Sequence, residues 1–327
     1  MIRKAERRMR KILNRLIVDT GDYRRTVFLA GTGRSGTTWV EELINAKNDF
    51  RIMFEPFHSD KVELVSDWNY RQYLRCSDRT EKFLQSATAI LSGNIRNEWI
   101  DCFNRKLISR KRIIKDIRAN HILKWIKCNF PEIPIILLLR HPCAVAHSKL
   151  RLNWETHLHD FLIQDELMED FLDPFKSELQ DAKTVFDKHI FMWCIENYVP
   201  LKQFSDGELL VVFYENICTQ TEQEMQRLCS FIGQRFSPAS VDKSSIPSAL
   251  SRKQSAINSG DDLVSSWRKS IRDDQIERAV EILSSFGLQN IYSENDFPLV
   301  SGSDALKVFP AECLRVTNQD DVKYSSI

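Results

Sequence analysis

The sequence predicts an α/β fold in which an open, largely parallel, doubly wound central sheet is flanked by helices and interrupted by helical insertions. Short apolar runs rich in β-forming residues alternate with longer segments whose apolar residues recur at helical spacing. The first of these runs ends in a glycine-rich loop that leads into a helical pattern. With 327 residues, of which 43% are hydrophobic, the chain can bury the core that such a domain needs.

The first strand-loop-helix unit covers residues 26–46. The run "TVFLA" at 26–30 predicts a strand, and "TTWVEELINA" at 37–46 predicts a helix because its apolar residues share one helical face. The loop between them reads Gly-x-x-x-x-Gly-x-Thr from Gly31, which is the spacing of a Walker A phosphate loop, or P-loop. The residue before the final Thr is Thr37, however, where a nucleoside triphosphatase has Lys.

Four further runs predict the other strands of the sheet. They are "FRIMFEP" at 50–56, "RIIKDI" at 112–117, "IPIILLL" at 133–139 and "LLVVFYENI" at 209–217. The third run is apolar almost throughout, as expected of a strand that is buried on both faces of a parallel sheet. Helical patterns follow at 121–130, 221–233 and 275–288. Because ligands of such sheets bind at the carboxyl ends of the strands, the functional residues are expected there.

Three regions are predicted along the chain: a basic amphipathic helix at 1–25, one domain at 26–290 and a C-terminal extension at 291–327. The first fifteen residues contain seven Lys or Arg and one Glu. This helix either packs on the body or a neighbouring subunit of a homo-oligomer, or places residues 1–17 on a membrane surface. Within the domain, segments 57–110 and 151–207 are predicted to be lids or acceptor-binding insertions.

Composition narrows the classes of function. With 46 basic and 45 acidic residues, the chain has no global charge that would attract nucleic acid. No apolar run is long enough to span a bilayer. The eight cysteines show no Cys-x-x-Cys pair or zinc-ligand spacing, so no metal site is expected. We interpret them as reduced thiols, which favours a cytoplasmic protein, with membrane-surface association left open.

The glycine loop is expected to bind an anion. Glycines 31, 33 and 36 let consecutive backbone N–H groups converge at a helix N-terminus, where the helix dipole also favours negative charge. Thr37 cannot reach a γ-phosphate as the usual lysine does. Arg34 instead lies inside the loop, where its guanidinium either binds a terminal anionic group or is merely solvated.

A second anion feature follows the strand at 133–139. Arg140 stands at the carboxyl end of that strand, and Ser148 lies on the next predicted helix. Together they could hold a second phosphate, although Arg140 alone could equally be a structural ion-pair partner. Two separated anion features indicate one ligand that carries two phosphates.

These segments resemble the sulfotransferase superfamily, whose donor is 3′-phosphoadenosine 5′-phosphosulfate (PAPS), over about residues 26–290. "GRSGTTW" is similar to the 5′-phosphosulfate loop, which implies donor contacts from Gly33, Arg34, Ser35, Gly36, Thr37 and Thr38. "LLLRHPCAVAHS" is similar to the 3′-phosphate motif, which implies that Arg140 and Ser148 hold the 3′-phosphate. "SRKQS" is similar to the C-terminal donor loop, which implies a 3′-phosphate contact from Arg252 or Lys253.

The resemblance is nearer to carbohydrate sulfotransferases than to enzymes of phenols and steroids. The latter have a Lys-x-His base motif, whereas this chain reads Lys115-Asp116-Ile117. "FEPFH" and "KDIR" look more like the carbohydrate branch, which implies that Glu55 is the catalytic base. His58 and Asp116 are alternatives, and Asp116 could instead pair with Arg118 or Arg34.

The predicted reaction is sulfuryl transfer from PAPS to a hydroxyl, less favourably an amine, of a carbohydrate or glycolipid, with PAP as product and no metal. Arg34 and Lys115 would stabilise the charge that develops on the leaving group. Two alternatives stay open: a P-loop kinase with a degenerate Walker A loop, and a non-catalytic nucleotide-binding module. Five aromatic residues could stack on a sugar, surround a lipid or simply belong to the core: Trp68, Tyr70, Trp99, Phe103 and Trp154.

Overall fold

The structure is a computed structural model that describes residues 16–251 and 256–309. Its strands are β1 (Val18–Asp19), β2 (Thr26–Gly31), β3 (Arg51–Phe54), β4 (Ile108–Ser109), β5 (Arg112–Asp116), β6 (Ile135–Leu139) and β7 (Leu210–Phe213). Five of them form a parallel sheet in the order β3-β5-β2-β6-β7, while β1 and β4 pair separately. The predicted α/β fold with a parallel sheet is therefore confirmed; four of its five strands fall within a predicted run, and β2 extends one residue beyond its run, to Gly31.

Helices surround the sheet. They are α1 (Thr37–Ile44), α2 (Glu81–Leu91), α3 (Leu123–Asn129), α4 (Pro142–Leu150), α5 (His159–Leu162), α6 (Asp165–Leu167), α7 (Lys176–Gln180), α8 (Val185–Gln203), α9 (Tyr214–Thr219), α10 (Thr221–Phe231), α11 (Ala239–Ser244), α12 (Ala256–Ser259) and α13 (Asp273–Ser285). Short 3-10 helices occur at Tyr23–Arg25, Glu63–Val65, Asn120–Ile122, Asp173–Phe175, Ser266–Lys269 and Leu288–Asn290, with a π-helical turn at Met168–Leu172.

Both faces of the sheet are buried, which explains why its strands are mainly apolar, with charged residues at the ends of β3 and β5. Side chains alternate across β2: Phe28 and Ala30 join one hydrophobic cluster, and Val27 and Leu29 join the other. The larger cluster lies under α8 and α13, and the smaller one under α1 and α10. Helices on both faces are the arrangement of a doubly wound domain.

The strand register brings the carboxyl ends of the strands to one edge. Ala30 of β2 lies opposite Asp116 of β5, and Phe54 of β3 lies opposite Lys115. On the other side of β2, Gly31 lies opposite Leu138 of β6. The loops that follow β2, β3, β5 and β6 therefore open at the same edge, where ligands were expected.

The two long insertions are less peripheral than predicted. Segment 151–207 contains α8, which is mostly buried in the larger cluster and therefore belongs to the core rather than to a lid. Segment 57–110, in which no strand was expected, contains the two residues of β4. β4 pairs with β1, whose Asp19 forms buried ion pairs with Arg51 and Arg112. Sequence periodicity cannot detect a two-residue strand that is fixed by such long-range charge pairing.

The prediction that all cysteines are reduced is wrong for one pair. Cys76 and Cys128 form a disulfide, with their Cα atoms 5.8 Å apart and a sequence separation of 52. The fold brings together a loop and the last turn of α3, which residue spacing could not reveal. Because disulfides persist mainly in oxidising compartments, this pair removes the cysteine argument for a cytoplasmic location.

No helix within 16–251 and 256–309 is long and apolar enough to cross a membrane. Residues 1–15, which carry most of the predicted basic helix, lie outside the described residues, as does 310–327. The membrane contact of the N-terminal helix and the oligomeric state therefore stay predictions.

Candidate functional site

A cleft of about 360 Å³ opens at the carboxyl edge of the sheet. Seven of the predicted site residues line it: Arg34, Gly36, Thr37, Thr38, Glu55, Lys115 and Arg140. They come from the loops or strand ends of β2, β3, β5 and β6, so the fold gathers residues that are more than a hundred positions apart in sequence. The cleft is therefore the candidate active site.

The loop after β2 turns sharply before α1. Arg34 and Gly36 both have positive φ, at 79° and 99°, so that α1 begins directly at Thr37. The first N–H groups of a helix have no acceptor within the helix, and here the first two residues of α1, Thr37 and Thr38, line the cleft. Beside them, the Ser35 Oγ is buried and has no hydrogen-bond partner in the part of the chain that the structure describes. These donors can serve an anionic ligand.

Two aromatic rings pack closely against the loop glycines. A Cβ atom at Gly36 would lie 2.6 Å from the Tyr214 ring, and one at Gly33 would lie 2.7 Å from the Trp154 ring. Both distances are shorter than van der Waals contact, so any side chain here would displace a ring. Glycine is therefore required at both positions for packing, and at Gly36, with its positive φ, for the turn as well.

The two predicted anion motifs meet. The Arg34 Nε donates to the Ser148 Oγ at 3.0 Å, and an Arg140 Nη donates to the Arg34 carbonyl at 3.3 Å. The Arg140 guanidinium lies 4.1 Å from the centre of the Tyr214 ring, a cation–π contact. Its Nε is buried and has no hydrogen-bond partner among the described residues. Two cationic groups are thus held side by side, and the Nε of Arg140 has hydrogen-bonding capacity left for a ligand.

Glu55 lines the part of the cleft that β3 and β5 form, in a strained backbone conformation with φ of 44°. Its carboxylate accepts from Lys115 Nζ at 2.7 Å and also from the guanidinium of Arg118. Burial alone would raise the pKa of Glu55, but these two cations outweigh it and hold the pKa below its ordinary value of 4.5. Glu55 is therefore ionised at neutral pH.

His58 and Asp116, the two alternative bases, are in less suitable positions to accept a proton from a ligand in the cleft. Burial, reinforced by Arg118, lowers the pKa of His58 to about 4, and its ring packs against the edge of Trp99 rather than lining the cleft. The Asp116 carboxylate accepts from the backbone N–H groups of Phe57 and Arg118 at 2.9 and 2.8 Å. These hydrogen bonds hold the loop after β3 and the loop after β5 in place. The sequence had instead suggested a side-chain ion pair between Asp116 and Arg118 or Arg34.

Burial, followed by repulsion from Glu55, raises the pKa of Asp116 to about 6. Asp116 is fully buried and does not line the cleft. Its two accepted hydrogen bonds use both carboxylate oxygens. The geometry therefore gives Asp116 a role in positioning the loops that carry Glu55 and Arg118.

Sequence reasoning missed two residues of the cleft. Arg118 pairs with Glu55, and Tyr214 packs against both Gly36 and Arg140. Both could have been predicted from their positions at the carboxyl ends of strands, because Tyr214 directly follows β7 and Arg118 follows β5 by two residues. Arg252 and Lys253 lie outside the described residues, although Ser251 and Ile257 on either side of them line the cleft.

The aromatic residues named from the sequence have different environments. Trp99 and Trp154 line the cleft, and Tyr70 lines a neighbouring cavity. Trp68 is buried in the larger core cluster, and Phe103 packs edge-on against Phe54 with ring centres 4.9 Å apart. Three of the five are therefore available to a ligand.

The family model and the solved structures that resemble this chain are those of sulfotransferases. A family model described as "Sulfotransferase family" matches residues 26–238. No curated protein matches the chain significantly. The solved structure of sulfotransferase STF9 from Mycobacterium avium is 12% identical, covering 84% of this chain and 78% of that one at a TM-score of 0.47.

Two other similar structures are also sulfotransferases. Mouse SULT7A1 complexed with PAP is 13% identical, covering 84% of this chain and 86% of that one at a TM-score of 0.42. A domain of the olefin synthase from Synechococcus PCC 7002 is 15% identical, covering 78% and 94% at a TM-score of 0.42. The family model alone spans well over half of the chain, and it includes the glycine loop, Glu55 and Arg140. This chain therefore belongs to the Sulfotransferase family.

Proposed function

We propose that the protein transfers a sulfuryl group from PAPS to a hydroxyl group of a carbohydrate or glycolipid, releasing PAP. The observation that carries this proposal is the convergence, in one cleft, of the Arg34–Ser148–Arg140 cluster with the Glu55–Lys115 pair. The first group of residues suits a ligand with two anionic ends. The second suits proton transfer beside it.

The residues of the loop fit the anionic parts of this donor. The buried Ser35 Oγ and Arg140 Nε, which have no partners within the described residues, are donors of the kind that phosphate oxygens satisfy. The glycine loop, Arg34, Thr37 and Thr38 would hold the 5′-phosphosulfate, while Arg140 and Ser148 would hold the 3′-phosphate. Arg252 or Lys253 would complete that second site. When bound, PAPS supplies the sulfuryl group and a phosphate leaving group.

Glu55 is proposed as the general base. Its carboxylate is ionised at neutral pH and can accept the proton of the acceptor hydroxyl as the oxygen bonds to sulfur. The bond between sulfur and the bridging oxygen then breaks, and the electron pair stays on that oxygen. Arg34 and Lys115 would stabilise this developing charge, since both side chains line the cleft. Sulfate ester, PAP and one proton account for all atoms.

Two features support a sugar as the acceptor. The base follows the second strand of the sheet, in the place that the carbohydrate-type motif "FEPFH" implies. Trp99 and Trp154 line the cleft, and the faces of such rings stack well on sugars. Family membership, together with Thr37 in place of the Walker lysine, disfavours the kinase alternative.

A ligand panel and a transfer assay test the proposal. PAP at 100 times its dissociation constant should stabilise the protein by about 2.7 kcal/mol, whereas ATP with magnesium should not. Labelled PAPS should then transfer its label to neutral or acidic sugars in preference to phenols. Stabilisation by ATP alone would overturn the proposal. Binding of PAP without transfer to any acceptor would favour the non-catalytic module.

A further inference from the structure

A second cavity of about 360 Å³ adjoins the cleft, and Ile117, Arg118 and Trp154 line both. We propose that this cavity binds an anionic group of the acceptor, a carboxylate or a sulfate ester, while the reactive hydroxyl lies at Glu55. The inference rests on the proposed function, because it assigns the chemical class of that acceptor. Its central residue is Lys149, which no part of the proposed reaction uses.

Lys149 lines the second cavity and is only 1% exposed, yet its Nζ has no hydrogen-bond partner in the ranges that the structure describes. Burying an ammonium group without a partner is costly. Accordingly, burial lowers the pKa of Lys149 to about 8. A cationic group held at such a cost in the wall of a cavity is best explained by a ligand that pairs with it.

The charges around the cavity favour an anion. Arg71 and Arg118 also line it, and the only carboxylate in the lining, Glu155, is exposed. The nearest buried carboxylate, Glu196, is already paired with Arg71 at 2.7 Å. Arg118 is in turn paired with Glu55. Glu196 also attracts Lys149, but a single carboxylate cannot neutralise both Arg71 and Lys149, so one positive charge of this group is left over.

The position of the cavity fits an acceptor that spans both sites. Arg118 donates to Glu55 and also lines the second cavity, so an acceptor hydroxyl at Glu55 lies one side chain away from it. The centre of the Tyr70 ring lies 5.0 Å from the guanidinium group of Arg71 and 5.6 Å from that of Arg118. An aromatic ring close to two cations suits a sugar ring that carries an acidic substituent.

The test compares matched probes with and without the anion. Binding is measured by calorimetry, with and without saturating PAP, for methyl β-D-glucuronide and methyl β-D-glucoside, and for 4-hydroxyphenylacetate and its amide. The 6-sulfate of the glucoside and inorganic sulfate complete the set. In at least one pair the anionic member should bind about tenfold more tightly, or about 1.4 kcal/mol. Lys149→Met should abolish that preference, whereas Lys183→Met, on an exposed turn, should retain it.

A thermal melt separates a ligand role from a structural one. If Lys149 serves only a ligand, Lys149→Met should leave the melting temperature of the free protein unchanged or higher, because an unpaired buried charge is removed. A fall of several degrees would show that Lys149 stabilises the fold and would overturn the inference. Equal binding within every pair, no binding, or binding of inorganic sulfate alone would also overturn it. Failure of PAP to bind would refute the proposed function, while the preference measured without PAP would still decide the cavity.

Discussion

The two ends of the cleft differ in how their charges are satisfied. At the glycine loop, Ser35 Oγ and Arg140 Nε have no partners within the described residues, although both are buried. At the other end, Glu55 already accepts from Lys115 and Arg118. The first end is organised for an anion that arrives from outside. The second holds its charge in internal pairs, which must rearrange when an acceptor hydroxyl reaches Glu55.

The largest effect is expected at the internally paired end. Glu55→Gln should lower kcat by at least about 10²-fold, because the amide cannot accept the hydroxyl proton. PAP binding should change little, since Glu55 is not part of the loop that would hold it. Steady-state kinetics and PAP titration measure the two effects. The matched control is Glu63→Gln, an exposed residue, and near-normal turnover of Glu55→Gln would remove Glu55 from the role of base.

The second prediction concerns Arg140, beside the glycine loop, where an anion is proposed to bind. Arg140→Ala should weaken binding of PAP by roughly 10- to 100-fold, the value of a charge-assisted hydrogen bond, and binding of adenosine 5′-phosphate much less. Calorimetric titration of both nucleotides provides the comparison, with the exposed Arg235→Ala as control. Equal losses for the two nucleotides would mean that Arg140 supports the loop rather than the 3′-phosphate.

The same difference explains what could be predicted from the sequence. The glycine loop is one continuous segment whose spacing is set by backbone geometry, so its residues could be assigned before the structure was known. The Glu55 end is assembled from β3 and β5, and its pairing with Arg118 depends on the register of two strands that are distant in sequence. The second cavity could not be predicted, since Arg71 and Lys149 have no shared motif and meet only in the folded chain.

A third prediction tests how firmly the loop is held. Gly36→Ala should lower the free energy of unfolding by about 1–3 kcal/mol more than Gly207→Ala, because the new methyl group meets the Tyr214 ring. Gly207 is a matched control: it also has positive φ, at 82°, but a Cβ there has no neighbour within 4 Å among the described residues. Chemical denaturation of both variants measures the difference. Equal losses would show that Tyr214 yields without cost and that the loop is not preorganised by it.

The smallest effect is expected from a change in pH, which distinguishes Glu55 from Asp116 as the base because their pKa values shift in opposite directions. Because Lys115 and Arg118 outweigh burial and hold the pKa of Glu55 below 4.5, its base form persists down to that range. The stabilisation from these ion pairs is likewise present above 4.5 and is lost only as pH falls through the pKa of the folded state. The kcat/KM profile of the free enzyme should therefore be flat from pH 7 to below 5 and decline only at lower pH.

An acid limb near pH 6 would instead identify Asp116, whose pKa is raised to about 6 by burial and by Glu55. His58, with a pKa of about 4, would give a limb close to that of Glu55, so pH alone does not separate these two. His58→Gln decides between them: retention of both turnover and the low limb leaves Glu55 as the base, and loss of turnover assigns the proton to His58. Protonation of Glu55 also removes the stabilisation that its ion pairs give to the fold. Circular dichroism at each pH therefore checks that the acid limb of the kcat/KM profile reflects titration of the base and not unfolding.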